Sequence, residues 1–375
     1  MNDNKTSVFN NDQRAIDMNW ERMHLDKSMF FALVSLAMIS LFVVYSASAA
    51  DLDATLNHLM RLMIGFTVLF VVAQIRPENL ERWSPYIFIG GMILLIAVLA
   101  IGVIGKGAQR WLYLGFIKFQ PAEIMKLAVP MMLSWYLARN ILPPTLLRLV
   151  TAFIMMAIPT YMIIKQPDLG TALLVFSAGI FVLFLAGMRW RIIILLLVGV
   201  AVAAPFAWNY LHDYQRQRVL TLINPEADPL GSGYHTIQSM IAVGSGGVYG
   251  KGWLNSSQAH LDYLPESSTD FIFAVFAEEF GLIGSLLLVV IYAIIVTRGI
   301  LIAYLAKDTY TRLLAGSLSL TFFFYFFVNM GMVTGILPIV GIPLPIMSYG
   351  GSSIVTVMAG LGILMSIQTH RKITE

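Results

Sequence analysis

A carboxylate that closes a long polar segment and opens an apolar one is the first residue to weigh for chemistry. Asp270 ends the stretch 212–270, HDYQRQRVLTLINPEADPLGSGYHTIQSMIAVGSGGVYGKGWLNSSQAHLDYLPESSTD, and FIFAVFAEEFGLIGSLLLVVIYAIIV follows at once. Arg216, Arg218 and Lys251 lie in the same segment. A carboxylate beside cations at the mouth of a membrane helix could serve as general base on an anionic substrate. Helix capping competes with that reading, because acids stabilise helix N-termini. At Asp270 the competitor is weakened, since Ser267, Ser268 and Thr269 already offer uncharged caps. At Asp168, in KQPDLGT at the head of another apolar stretch, capping alone could explain the acid. Long segments without regular elements are usually functional or disordered. Tyr, Trp, Leu and Ile recur through 212–270, which favours an ordered, functional loop.

Ionisable residues inside apolar stretches carry a functional expectation of their own. Glu123 and Lys126 are three apart and would share one helix face. Either they neutralise each other, or Lys126 meets an anionic ligand and Glu123 orients it. Arg61 lies near the start of its stretch, where snorkelling to the interface accounts for a cation. Glu278 and Glu279 lie about two turns inside the apolar run after Asp270 and are expected to be structural. Glycines 244, 246, 247, 250 and 252 could turn N–H groups toward a phosphate, though they lack the flanks of a phosphate loop. The segment TGILPIVGIPLPIMSYGGSS (334–353) is too rich in Pro and Gly for a regular helix. Irregular backbone at membrane depth must be buried in protein or line a cavity.

The elements that hold these residues are membrane helices. Of 375 residues, 58% are hydrophobic and 12% charged, against roughly a quarter charged in soluble domains. Ten stretches approach the roughly 20 apolar residues that a spanning helix needs: 28–48, 57–75, 85–104, 121–139, 146–164, 170–188, 190–211, 271–297, 310–333 and 349–369. Placing the N-terminus inside puts 15 Lys and Arg in inner segments and 7 in outer ones. The positive-inside rule therefore predicts N-in and C-in, with 212–270 as an outer loop between the seventh and eighth helices. The fold class is an all-α polytopic membrane protein. Its tails are 1–27 and 370–375, flanking one transmembrane domain over 28–369. No cleaved signal is expected, the first helix serving for insertion. Cysteine is absent, which excludes disulfides and thiolate metal sites. A net charge of +3 gives no ground for a nucleic-acid partner. The outer cations cluster: Arg110 and Lys118 lie in GKGAQRWLYLGFIKFQ, Arg216 and Arg218 in DYQRQRV. Against the topological bias they suit either an anionic substrate at the outer leaflet or simple contact with membrane lipid headgroups. The aromatic run FFFYFF (322–327) exceeds what helix packing requires and offers a face to a partner helix or to lipid.

Several of these motifs resemble one family. NMGMVTGILPIVGIPLPIMSYGGSS (329–353), QPDLGTALL (166–174), GAQRWLYLG (107–115), FQPAEIMKL (119–127) and LPESSTDFIFAVFAEEFG (264–281) are similar to the SEDS (shape, elongation, division and sporulation) cell-wall polymerases. The short tail, GAQRW and HDYQRQRV resemble the elongation branch; a division member would usually be longer and carry Ser at position 109. The resemblance implies a peptidoglycan glycosyltransferase that polymerises lipid II at the outer face of a bacterial cytoplasmic membrane, in elongation and rod-shape maintenance. It implies a class B penicillin-binding protein as transpeptidase partner, with other elongation-complex proteins. The family's essential aspartate falls on Asp270 and its charged pair on Glu123 and Lys126. Ser348, in the 329–353 signature, joins Arg61, Arg110, Lys118, Asp168, Arg216, Arg218 and Lys251 as a substrate-binding candidate. In SSTD this chain lacks a histidine that many relatives carry before Thr-Asp, which leaves Asp270 as sole base.

Resemblance and residues meet on one reaction. Asp270 would take the proton of an acceptor 4-hydroxyl as it attacks the anomeric carbon of a lipid-linked sugar, and lipid diphosphate leaves. Arg110, Lys118, Arg216, Arg218 or Lys251 could offset the charge on that leaving group. No organic cofactor is implied. A divalent cation, magnesium or manganese, could bridge Asp270 and the diphosphate, though no ligand cluster specifies it. The competing readings are a lipid II flippase, which needs no carboxylate at its exit, and a catalytically idle scaffold of the elongation complex.

Overall fold

The computed structural model describes residues 23–105, 108–113, 118–209, 213–229, 231, 233–261, 263–264 and 266–370. Each of the ten apolar stretches forms a helix. They are Lys27–Ala47 (α1), Leu52–Ala73 (α2), Pro77–Ile101 (α3), Pro121–Ala138 (α4), Leu146–Lys165 (α5), Leu169–Leu185 (α6), Trp190–Trp208 (α7), then, past the polar segment, Ile272–Leu305 (α11), Thr309–Val333 (α12) and Ser352–Thr369 (α13). Among the described residues seven helices are long and apolar enough to cross a membrane: α1, α2, α3, α5, α11, α12 and α13. Helix α6 is a shorter apolar one. Their starts follow local chemistry. Asp26 caps α1 by accepting from Met29 N at 2.9 Å, and Asp51 caps α2 from Asp53 N at 2.8 Å. Pro77 and Pro121 open α3 and α4, where the missing N–H would have no partner anyway.

Helix α12 forms the buried axis, packed against α4, α6, α11 and α13, while α13 lies along α2 and α11 along α1. Its aromatic run is divided. Phe322, Tyr325 and Phe326 are buried, and Phe326 stacks on Tyr292 of α11, with ring centroids 5.0 Å apart. Phe323 and Phe327 remain exposed. Half of that run is therefore core. The residues just before α1 and at the end of α13 meet, with His24 and His370 stacked at 4.1 Å and His24 Nδ1 3.1 Å from Thr369 Oγ1. Burial and the neighbouring His370 both lower the His24 pKa.

Two segments expected as loops are ordered differently. Val103–Gly105 (β1), Ala108–Tyr113 (β2) and Lys118–Phe119 (β3) form a small antiparallel meander in the order β1-β2-β3. This sheet qualifies the all-α expectation. Its period of two places Arg110 on the same face as buried Leu112. The polar segment after α7 holds Asp213–Ile223 (α8), a 3-10 turn at Pro225–Ala227, Tyr234–Ser245 (α9) and Ser257–His260 (α10). It is a folded cap, with α9 lying on α11 and α12.

Helix α11 breaks at Gly281, whose φ is 62°. The break frees backbone groups, and the glycine-rich turn after α9 satisfies them. Leu282 N donates to Gly247 O at 3.0 Å and Ile283 N to Val248 O at 3.2 Å. Lys251 N and Gly252 N donate to the Glu278 and Glu279 carbonyls, each at 3.0 Å. A Cβ on Gly250 would run into the Glu279 carbonyl, and one on Gly246 into that of Ala277. The glycines thus permit a backbone-to-backbone seam. Gly250 also has φ 82°, so Gly250→Ala should cost at least the roughly 1–3 kcal/mol of a strained backbone. A lower melting temperature in detergent is the expected reading; an unchanged one would show that the seam does not hold the loop.

Candidate active site

The turn before α6 gathers the first group of predicted site residues. Asp168 Oδ1 accepts from Thr171 N at 3.2 Å, so it caps α6, while Oδ2 accepts from Gln120 Nε2 at 2.8 Å. From β2, Arg110 Nε donates to Gln166 O at 3.2 Å, and Nη2 donates to Pro167 O. Its Nη1 lies 3.9 Å from Asp168 Oδ1. Arg110 therefore covers carbonyls at the end of α5 and sits beside the carboxylate that starts α6.

One turn into α4, Lys126 Nζ donates to Glu123 Oε1 at 2.6 Å, and each residue is only 4% exposed. Lys126 also lies over the Tyr325 ring at 5.2 Å, a cation–π contact. The pair is incomplete, because Glu123 Oε2 is buried without a hydrogen-bond partner among the described residues. Arg110, Gln120, Glu123, Lys126, Asp168 and Thr171 line one wall of a cavity of about 210 Å3. Gly341, Ile342, Pro343 and Gly350–Ser353 form the facing wall. The Pro- and Gly-rich segment thus lines a cavity, as irregular backbone at this depth must.

Asp270 stands at that wall. A Cβ on Gly341 would lie 3.4 Å from Asp270 Oδ2, so the carboxylate faces the glycine across ordinary contact distance. Its main chain is braced by Asn329, whose Nδ2 donates to Asp270 O at 2.9 Å and Ile342 O at 2.7 Å. Ser348 is buried, donating to Thr269 O at 2.6 Å and accepting from Leu344 N at 2.7 Å. Tyr349 N adds a 2.8 Å bond to Ser268 O. These bonds clamp the residues around Asp270 to the cavity wall. Asn329 was invisible to sequence reasoning as a site residue, although a lone amide in an apolar helix is the signal that could have marked it.

The other predicted residues do not line this cavity among the described residues. Arg216 donates to Trp208 O and Asn209 O, both at 2.9 Å, and so caps α7. Lys251 Nζ pairs with Glu278 Oε1 at 2.6 Å, and Glu278 also accepts from Ser256 Oγ at 2.6 Å and Ser257 Oγ at 2.7 Å. Glu279 accepts from Ser46 Oγ and, at 3.1 Å, from Leu254 N. Both glutamates anchor the cap to α11, which agrees with the structural role expected for them. The Arg61 guanidinium stacks on the Tyr349 ring at 4.1 Å. Arg218 lines a different cavity. Lys118 falls on β3, and its side chain lies outside the described residues. Among the described residues no cluster of three His, Asp or Glu could hold a metal ion. Asp270 alone would suit only a cation that a substrate also holds.

Comparison with known proteins places these features. The family described as cell cycle protein, of the FtsW, RodA and SpoVE type, matches residues 27–373. Peptidoglycan glycosyltransferase MrdB of Escherichia coli K12 is 51% identical over 94% of this chain and 96% of its own. A solved chain described as "Structural coordination of polymerization and crosslinking by a peptidoglycan synthase complex" is 30% identical with a TM-score of 0.80. The match covers 92% of this chain and 97% of that one. The crystal structure of Thermus thermophilus rod shape determining protein RodA has 26% identity and a TM-score of 0.69, over 92% of this chain and 96% of its own. On sequence and fold together, the chain belongs to the FtsW, RodA and SpoVE family, the SEDS family that its motifs resemble.

Proposed function

We propose that this chain polymerises lipid II into glycan strands at the outer face of a bacterial cytoplasmic membrane, with Asp270 as general base. That it is a peptidoglycan glycosyltransferase rests on 51% identity across nearly its whole length to an enzyme of that name. The observation that carries the mechanism is the Asp270 carboxylate held against Gly341 at the edge of a polar cavity. Asp270 takes the proton of the acceptor 4-hydroxyl as that oxygen bonds the anomeric carbon. The bond from that carbon to the lipid diphosphate breaks, and its electron pair leaves with the phosphate oxygen. A single displacement with one base inverts an α-linkage to a β-linkage. The clamp from Asn329, Ser348 and Tyr349 fixes where the base stands, which is how orientation lowers the barrier.

The membrane arrangement belongs to the same proposal. Ten spans with both ends inside agree with the contact of His24 with Thr369 and His370 and with the excess of Lys and Arg in inner segments. The active site then faces outward. A class B penicillin-binding protein is the proposed partner, because a structural relative belongs to a complex that polymerises and crosslinks. The exposed Leu282, Leu286 and Val290 of α11, with Phe323 and Phe327 of α12, give its membrane helix an apolar face. The test is glycan synthesis from lipid II by purified protein with that partner present. Long polymers are expected. Translocation of lipid II in vesicles without polymer would overturn the reading in favour of a flippase.

A further inference from the structure

No helix or strand runs through 342–349, the segment beside Asp270, and three helices supply donors to its carbonyls. Asn329 of α12 donates to Ile342 O, and Tyr292 of α11 donates its hydroxyl to Pro345 O at 2.6 Å. Ser40 of α1 donates to Met347 O at 3.0 Å. Behind Ser40 stands His58 of α2, its Nε2 2.6 Å from the Ser40 oxygen. A hydroxyl carries one proton, and Ser40 gives it to a carbonyl that can only accept. His58 Nε2–H therefore donates to Ser40. His58 meets the segment a second time, because its ring lies 5.9 Å from that of Tyr349, which Arg61 covers at 4.1 Å. Tyr292, Ser40 and His58 are all fully buried.

Between the Tyr292 and Ser40 bonds lies Ile346, buried and with φ 68°. A β-branched residue rarely occupies that left-handed region, and strain of this kind persists only where the surroundings fix it. The bonds to Pro345 O and Met347 O are those surroundings, one on each side. What the strained turn delivers is the pair of residues after Met347. Ser348 Oγ reaches Thr269 O at 2.6 Å and Tyr349 N reaches Ser268 O at 2.8 Å, the two carbonyls just before Asp270. Resting on the polymerase reading, we infer that Tyr292, Ser40 and His58 are positioning residues for the catalytic base. They hold Ile346 in the conformation that sets Ser348 and Tyr349 against the chain leading into Asp270. None of the three lines the cavity, so a change in them reaches the base only through this segment.

Turnover and apparent affinity separate this role from simple support. Tyr292→Phe keeps the ring that stacks on Phe326 and removes only the donor. In full-length protein with the proposed partner present, Tyr292→Phe and Ser40→Ala should each lower kcat for glycan synthesis about tenfold. That is within the roughly hundredfold that a misplacement of about 1 Å can cost. KM for lipid II should stay within about twofold, since the cavity lining is untouched. His58→Leu should match Ser40→Ala, and the two together should cost no more than either alone, because both act on one carbonyl. His58→Gln, which keeps a donor, should restore most of the loss. Hydrogen exchange gives a second reading that needs no substrate: the Tyr349 amide should exchange faster in Tyr292→Phe and Ser40→Ala. Ser317→Ala, which breaks a comparable buried bond to Ala178 O at 2.8 Å, should change neither reading. Should Ser40→Ala fold poorly, Tyr292→Phe alone decides. Wild-type kcat in folded Tyr292→Phe, unchanged exchange at Tyr349, or an equal loss in Ser317→Ala would overturn the positioning role. Glycan synthesis by the unaltered protein alongside any of these would show that only this role fails, whereas no synthesis at all would strike the polymerase reading itself.

Discussion

Asp270→Asn should yield protein that folds, inserts and makes no measurable glycan. General base catalysis is worth about a hundredfold to ten-thousandfold, and Asp270 is the base proposed for this site. The substitution leaves untouched the main-chain bonds that help to position residue 270. Asn329 holds the backbone oxygen, while Ser348 and Tyr349 hold the neighbouring carbonyls of Thr269 and Ser268. Asn keeps the shape and a capping oxygen, so the melting temperature should shift little. If capping were the role of Asp270, activity would stay near normal. Polymerisation above a tenth of wild type would remove Asp270 from the role of base. A parallel fall in melting temperature and synthesis would make it structural instead.

Periodicity and hydropathy alone located the ten helices, because a run of apolar residues leaves the chain few alternatives in lipid. They did not locate the meander. GAQRWLYLG has no helix-breaking signal strong enough to separate a short sheet from a loop, and the pairing that orders it comes from β1, in residues assigned to a helix end. The cations show the same limit more sharply. Arg110, Arg216 and Lys251 all lie in polar segments between apolar ones and look alike in sequence, yet Arg216 caps α7 and Lys251 neutralises Glu278. Only Arg110 of the three reaches the cavity. A cation's function depends on which carbonyl or carboxylate the fold brings to it, and no local spacing encodes that. Spacing did reveal Glu123 and Lys126, because i and i+3 share a helix face whatever the rest of the fold does. The glycine cluster was legible as an unusual feature and illegible in purpose, since its partners are carbonyls of α11 freed by the break at Gly281.

The Glu123 and Lys126 pair should give the second large effect, and two readings of it predict opposite outcomes. Removing one member of a buried ion pair strands the other and costs about 3–5 kcal/mol, while replacing both by neutral groups is often tolerated. Both side chains are buried at the wall of the first cavity, so Glu123→Gln and Lys126→Met should each lower the melting temperature. The double variant should recover most of that stability. If the pair is only a brace between α4 and Tyr325 of α12, synthesis should recover with it. The geometry argues otherwise. Among the described residues Glu123 Oε2 is buried without a hydrogen-bond partner, and an orphaned acceptor in a closed structural pair would be a needless cost. Both residues line the cavity, so on the proposed reading Glu123 accepts from a hydroxyl of the acceptor sugar while Lys126 donates to a neighbouring oxygen. The double variant is therefore expected to melt close to wild type and to remain inactive. Synthesis and melting temperature measured on both single variants and the double decide the matter. Recovery of glycan synthesis in the double variant would place the pair in the scaffold and take Lys126 out of the site.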